Sequence, residues 1–462
     1  MSDEKKKIGK KEEDDRLKEE NERLREEIER LRKENEALQK AKKKIEKDFE
    51  RYKARHPECV GVKHGKPYHI KGPRKTEPRG KPGARPGHKG HFRKIPEHID
   101  KIIDVPVDIC PHCGSAELSE NIQEIRTRTI EEIPRCQPVV TLHKIHRRYC
   151  RICKKLVEMP VNDALPGATI GIRTMLFTTW LKIGLRMTIE AIPQLLDEAY
   201  GLKISEGEVQ NILDQMAIVF EPYYEQMVED MRKRPARNID ETGWRINGDN
   251  VWLWAFITKW EAVYHIAATR GHESALEVLG ENPTGVDIHD RFTAYSPLRR
   301  KTGFRPQQVC WSHLLGDSKE MAKMYDGRGG NHVHWVLKQI FKKAKGFNHH
   351  GTQEDVEELK TTLERWIVRD FEAIECRTFV KNLLKYKEFM FEFVTNPDVD
   401  ATNNRAERAI RPCVIARKVS GGSRSDRGAQ IYAVLMSIVQ TLKLNGKSVV
   451  SHGQEILLTS HG

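Results

Sequence analysis

The chain lacks any apolar run approaching the ~20 residues that a membrane span needs. Its lysine-rich start also lacks the apolar core of a signal peptide. Neither membrane insertion nor secretion is expected, and a cytoplasmic setting is. Cysteine is sparse: nine residues in 462 make an awkward number for a disulfide framework, and four of the nine fall into two C-x-x-C pairs. That usage fits reduced thiols around one metal ion. Acidic residues are outnumbered, 67 against 80 lysines and arginines, which leaves a net charge of +13. A positive excess suits a polyanionic partner, although composition alone equally describes a generic basic protein. With 38% hydrophobic residues, 462 positions supply several domains and a large core.

What is present is organised in blocks. Leu17, Leu24, Leu31, Leu38, Ile45 and Tyr52 repeat at heptad spacing, with Asn21, Ile28, Asn35, Lys42 and Phe49 at the matching positions. Asparagines in such a seam fix register and favour a two-stranded parallel pair, so residues 1–57 are expected to form a dimerising coiled coil. Residues 58–100 read as an extended basic linker. Between Lys63 and Lys94, eleven lysines and arginines face one acid, Glu77, and five prolines forbid a continuous helix. Such a segment can neutralise DNA phosphates without reading bases.

Residues 101–160 contain Cys110-Pro111-His112-Cys113 and, 36 residues later, Cys150-Arg151-Ile152-Cys153. Two such knuckles complete a tetrahedral four-thiolate shell, so one structural zinc ion is expected on Cys110, Cys113, Cys150 and Cys153, with no open catalytic position. β-like runs such as 138–143 suggest a zinc ribbon. The remaining cysteines, Cys59, Cys136, Cys310, Cys376 and Cys413, read as ordinary core or surface residues. Residues 161–232 read as helical. A run over 188–199, a turn at Gly201 and a helix from Ser205 resemble a helix-turn-helix, although two packed helices are the more common meaning of that pattern. Ser205 and Glu208 make a capping box.

From Arg237 the period changes to that of strands. Three meandering strands over 238–246, 251–258 and 262–268 precede a helix over 272–279, a strand over 285–290, a short helix and a strand over 306–310. This order predicts an RNase H-like catalytic domain over residues 233–462, interrupted by a helical insertion at about 317–398. The whole is thus a multidomain α+β and α/β chain. In-line phosphoryl transfer uses two divalent metals about 4 Å apart, and such hard cations want carboxylate oxygens. Asp240 on the first strand, Asp290 at the end of the fourth and Glu407 on a later helix occupy the three expected places. Asp287 competes with Asp290. Odd spacing faces the two oppositely in a strand, and the strand-end position favours Asp290. By the same alternation Glu241 faces away from Asp240.

Around Glu407, helical pitch puts Asn403 and Arg411 on its face with Asn404 and Arg408 beside it, and Pro412 is expected to end or kink the helix. Arg408, Arg411, Arg417 and Lys418 are the candidate DNA contacts, with Arg424 extending the basic surface. Trp244 is either a base-stacking platform or a core tryptophan. His313 either orients a phosphate or satisfies a buried hydrogen bond.

Taken together, the linker patterns 81–83 and 86–91, Cys110-Pro111-His112-Cys113-Gly114, Asp240-Glu241-Thr242-Gly243-Trp244, Asp290 with Ala294-Tyr295, Cys310-Trp311-Ser312-His313, and Asn404 through Pro412 with Arg417-Lys418 resemble transposases of the insertion sequence 66 family. The chain departs from the family at Asp290-Arg291-Phe292, where Asp-Gly is more usual. The resemblance implies a DDE-type enzyme using magnesium or manganese on Asp240, Asp290 and Glu407. It also implies binding to the terminal inverted repeats of its element, and accessory proteins encoded beside it. The expected activity is cleavage of the element ends and strand transfer into target DNA by a dimer or larger assembly at the nucleoid. Two other readings remain: a zinc-containing dimeric DNA-binding protein without catalysis, such as a repressor or domesticated transposase, and a generic RNase H-like nuclease.

Overall fold

The computed structural model describes residues 96–459, apart from 292, 293 and 304, together with scattered positions before residue 96. The expected coiled coil and basic linker lie outside the described residues except at those positions. The chain divides into two compact units, Met1–Ile70 and Lys71–Gly462.

The first regular elements of the second unit are the short hairpin strands β1 (Arg148–Cys150) and β2 (Lys155–Val157), paired antiparallel. Helices α1 (Ile172–Thr179), α2 (Ala191–Tyr200) and α3 (Glu206–Lys233) follow. Gly201 closes α2 in the left-handed conformation at φ 69°, as a C-terminal glycine does at no Cβ penalty. Ser205 opens α3 by accepting the Glu208 amide at 3.1 Å. Val209, Ile212, Leu213, Met216, Phe220, Met227 and Met231 form one buried stripe along α3. The second helix of the helix-turn-helix pattern thus lays a long apolar face against the core.

The sheet has the order β5-β4-β3-β6-β7. Strands β3 (Ala236–Ile246), β4 (Asp249–Ile257) and β5 (Ala262–Ala267) form an antiparallel meander. Asn247 and Gly248, at φ 49° and 93°, make the two-residue turn between β3 and β4, the geometry that matches strand twist. Helix α4 (His272–Leu279) leads to β6 (Val286–His289), which pairs parallel to β3. Helix α5 (Tyr295–Lys301) leads to β7 (Gln307–Val309), parallel to β6. Leu253 through Ile257, on β4 between β5 and β3, are fully buried, with α11 packed on the same strand. Each such apolar side chain stabilises the fold by about 1.5–3 kcal/mol.

A helical stretch then intervenes: α6 (Trp311–Met324), α7 (Gly330–Gly346), α8 (Gln353–Ile367), α9 (Ile374–Leu384) and the short α10 (Glu392–Thr395). The chain returns to the sheet with α11 (Asn404–Ser420), and α12 (Asp426–Leu444) and α13 (Val449–Thr459) complete it. Helix α11 packs on β3 and β4, and α12 runs along the edge strand β5. There the Ala262 and Tyr264 amides donate to the hydroxyls of Thr441, at 3.0 Å, and Ser437, at 2.9 Å. A helix thus satisfies edge amides that would otherwise face a missing strand.

Candidate active site

Alternation along β3 sorts its side chains between two environments. Asn238 and Asp240 lie on the face toward α11, while Glu241 is buried on the other. Glu241 accepts from Arg270 Nε at 2.9 Å and Nη2 at 2.6 Å, and from the Tyr295 hydroxyl at 2.8 Å. Burial raises its pKa and Asp290 adds to this, while Arg270 and Tyr295 oppose it. Asp240 is half-buried and accepts the Glu241 amide at 3.0 Å. Burial first, then the charges of Glu241, Asp290 and Glu407, push its carboxyl up to about 8. Asp240, Asp290 and Glu407 therefore share one electrostatic neighbourhood. Their carboxylates are not all within 4.8 Å of one another, since no such set is found among the described residues.

Asp287 has a different occupation. It is 1% exposed and gripped by Arg237 Nε at 2.7 Å and Arg305 Nη2 at 2.5 Å. The two guanidiniums hold its carboxyl below the ordinary value despite burial. A carboxylate whose oxygens are taken by two arginines forms a structural ion pair.

Glu407 is carried in the first turn of α11, and the start of that helix is fixed by tertiary bonds. Asn403 occupies the N-cap without a capping side-chain bond. Its Nδ2 instead donates to the Ile239 carbonyl at 2.8 Å, and its Oδ1 accepts from Asn238 Nδ2 at 3.2 Å. Ile239 follows the last residue pair between β3 and β6, Asn238 with Ile288. Asn404 accepts from Ser312 at 3.2 Å, and Arg405 pairs with Asp400 at 2.8 Å. The asparagines and first arginine around Glu407 thus position the helix instead of lining its outer face. Pro412 does not end α11, which runs on to Ser420. Pro412 removes one amide, while Tyr264 donates to the nearby Ala409 carbonyl at 2.9 Å, and the flanking turns hold the helix through the gap.

That continuity carries Arg417 and Lys418 on the same helix as Glu407. Arg408, Arg411 and Lys418 are exposed. Arg417 is half-buried and donates to the Gly243 carbonyl. An open groove of about 400 Å³ lies beside Arg245, Arg417 and Lys418, floored by Gly243 and Gly421. After α11 the loop turns back on β3: the Ser423 amide donates to the Arg245 carbonyl at 2.9 Å. Gly422 stands there at φ 108°, where a Cβ would lie 2.4 Å from that carbonyl oxygen. Trp244 is not available to a base. It is 2% exposed, stacks on Tyr432 at 4.6 Å and donates to Ser423 at 3.2 Å, so its ring faces belong to the core.

Sequence reasoning missed one gathering. Cys310, His313 and Glu407 each offer a ligand atom within 4.8 Å of the others. The C-x-x-H spacing at the start of α6 was the available signal, but nothing in the sequence links it to a glutamate so far downstream. His313 lies 3.7 Å from Glu407 and is raised to about 9, first by the adjacent Cys310 and further by Asp290 and Glu407, against burial.

The zinc-ligand candidates form two separate knuckles. Gly114 donates to the Cys110 carbonyl at 2.9 Å, and Cys153 N–H to Cys150 Sγ at 3.4 Å. Backbone amides of His112 and Cys113 lower the Cys110 thiol, and those of Cys153 and Ile152 lower Cys150, which suits metal-binding thiolates. Among the described residues the four sulfurs are not drawn into one shell. The run 138–143 forms no strand, and Val139 and Val140 are 91% and 94% exposed. The β-propensity there finds no partner strand or core to pack on.

A family model described as "Transposase IS66 family" matches residues 170–431, and one described as "zinc-finger binding domain of transposase IS66" matches residues 108–154. The first span includes Asp240, Asp290 and Glu407, and the second includes all four paired cysteines. "Uncharacterized protein y4hP" of Sinorhizobium fredii is 21% identical over 390 residues, covering 75% of this chain and 69% of that protein. "Uncharacterized protein y4qI" of the same organism is 34% identical over 67 residues, 14% of this chain and 12% of that protein.

Proposed function

This chain belongs to the IS66 transposase family, and on that premise we propose that it is a DDE-type transposase with an RNase H-like catalytic domain. It cleaves the ends of its own element and joins them to target DNA. The observation that carries this reading is the electrostatic meeting of Asp240, Asp290 and Glu407, brought from a strand, the residue after another strand and a helix that lie far apart in sequence. Acids whose charges raise the proton affinity of Asp240, in a chain of net charge +13, fit a place for divalent cations.

Asp240, Asp290 and Glu407 would hold two magnesium or manganese ions. Bound there, the ions supply Lewis acidity and neutralise charge on the phosphate. The protein's own contribution is alignment. The Asn238–Asn403 bond ties the Glu407 helix to the Asp240 strand, and exposed Arg408, Arg411 and Lys418 receive the DNA backbone. Water attacks the phosphodiester at the element end and the 3′-oxygen leaves. The freed 3′-hydroxyl then attacks a target phosphodiester, displacing its 3′-oxygen. The four-cysteine segment holds one structural zinc, which the two amide-lined knuckles support. Residues 1–57 dimerise the protein, proteins encoded beside the element assist, and action at DNA ends places it at the nucleoid in the cytoplasm. No helix among the described residues is long and apolar enough to cross a membrane.

The test is nicking of a duplex bearing the element's own ends, with and without magnesium. Asp240→Ala and Glu407→Ala should each lower the rate by at least roughly 10²-fold, as loss of a group acting on transition-state charge does, while end binding persists. Cleavage at the parent rate by either variant overturns the assignment. Nicked product that never appears joined to target DNA favours a plain nuclease.

A further inference from the structure

Cys310, His313 and Glu407 make a donor set unlike the rest of the site. Cys310 is fully buried at the N-cap of α6, His313 lies in its first turn, and Glu407 comes from the first turn of α11. Sulfur, imidazole nitrogen and carboxylate oxygen all lie within 4.8 Å of one another. His313 Nδ1 is buried without a hydrogen-bond partner, and Glu407 Oε1 is 3.7 Å from it, too far for a hydrogen bond. The ring interacts with the Cys310 thiol, but the buried nitrogen itself meets no group at good hydrogen-bond geometry, which is a cost to the fold. The sulfur is itself oriented, since the Asn403 amide donates to it at 3.1 Å. Outer hydrogen bonds of this kind fix metal ligands.

We propose that Cys310, His313 and Glu407 form a binding site for a borderline transition cation of the zinc class, distinct in chemistry from the magnesium site but sharing Glu407 with it. A thiolate and an imidazole select zinc over magnesium, which prefers oxygen alone. Three protein ligands leave one position open to water or phosphate. Binding releases the thiol proton to solvent as the sulfur–metal bond forms. Because one carboxylate cannot serve both sets unchanged, filling this site with zinc withdraws Glu407 from the magnesium set and slows cleavage. The inhibitory part rests on the function proposed above, whereas the binding part does not.

Zinc content of the full chain, measured by mass spectrometry after dialysis against added Zn²⁺, tests the site. Cys310→Ser and His313→Gln should each hold one zinc fewer than the parent. Losing a ligand should weaken that site by at least the roughly tenfold typical of an outer-shell change. Thermal unfolding verifies that each variant is folded, and His313→Gln, at a half-buried position, serves if Cys310→Ser does not fold. Equal zinc content in the parent and both folded variants overturns the proposal. Zinc added over magnesium should suppress nicking by the parent and spare Cys310→Ser, and equal suppression of both overturns the inhibitory role. If the parent shows the extra zinc but never nicks DNA, the site stands and the functional reading alone falls.

Discussion

Residues 101–160 and the five-stranded sheet both gather side chains from distant points of the sequence, and they do so by opposite means. In the sheet domain, buried polar groups are matched to one another by the fold itself. Arg237 and Arg305 clamp Asp287, Asn403 locks α11 to β3, and Leu253 to Ile257 are sealed from water. In the cysteine segment each knuckle is locally formed, yet the pairs stay apart and apolar residues such as Val139 and Val140 stand in solvent. The contrast teaches where order comes from. A large core over-determines its polar contacts, whereas a short segment with little core depends on a metal to close it.

The sharpest way to break the comparison is to remove zinc. Structural zinc is worth about 10–16 kcal/mol to small domains of this kind. In Cys310→Ser, which lacks the further site proposed above, chelation should therefore expose residues 101–160 to limited proteolysis while the unfolding temperature of the sheet domain stays unchanged. A parallel drop in that temperature would mean that the two regions are not ordered independently.

Next in size is the clamp on Asp287. Asp287→Asn leaves two buried guanidiniums short of their counter-charge and should cost about 3–5 kcal/mol in denaturant unfolding, with the zinc content unchanged. The same group predicts the acid limit. Its pKa in the folded protein is depressed, so its contribution is fully present above the ordinary carboxylate value of about 3.9 and is lost as pH falls through the folded value. Urea midpoints measured from pH 6 downward should show this loss below about pH 4 in the parent, and less of it in Asp287→Asn.

The smallest effect on stability sharpens the link between core and site. Asn403→Ala removes the clamp and leaves the Ile239 carbonyl with only the long Tyr295 hydroxyl contact at 3.4 Å, at about 1–3 kcal/mol. Cleavage should fall by more than that loss of stability explains, because Glu407 is then no longer aligned with Asp240. Unchanged cleavage in a measurably destabilised variant would separate the clamp from the chemistry.

These contacts also mark what the sequence made legible. Period and turn residues located the meander, because Asn247-Gly248 and the alternating strands are local signals. The strand that carries Asp240 and the helix that carries Glu407 were legible too, since both are set by short-range periodicity. The roles of Asn403, Asp287 and Trp244 were not, because each depends on a partner far along the chain: Ile239, Arg305 and Tyr432. Pro412 does not end the helix because propensity describes an isolated helix, and α11 is packed on β3 and β4. The exposed run at 138–143 misled for the converse reason: β-propensity there had nothing to pack on.

The two hydroxyls on α12 that take the Ala262 and Tyr264 amides bear on how copies can assemble. They act as a terminator for the sheet: β5 has those donors already spent, so a neighbouring molecule cannot zip onto it by strand addition. A second copy approaching from that side must therefore engage side chains and not the strand's backbone, a contact that can be rearranged or released without unravelling the sheet.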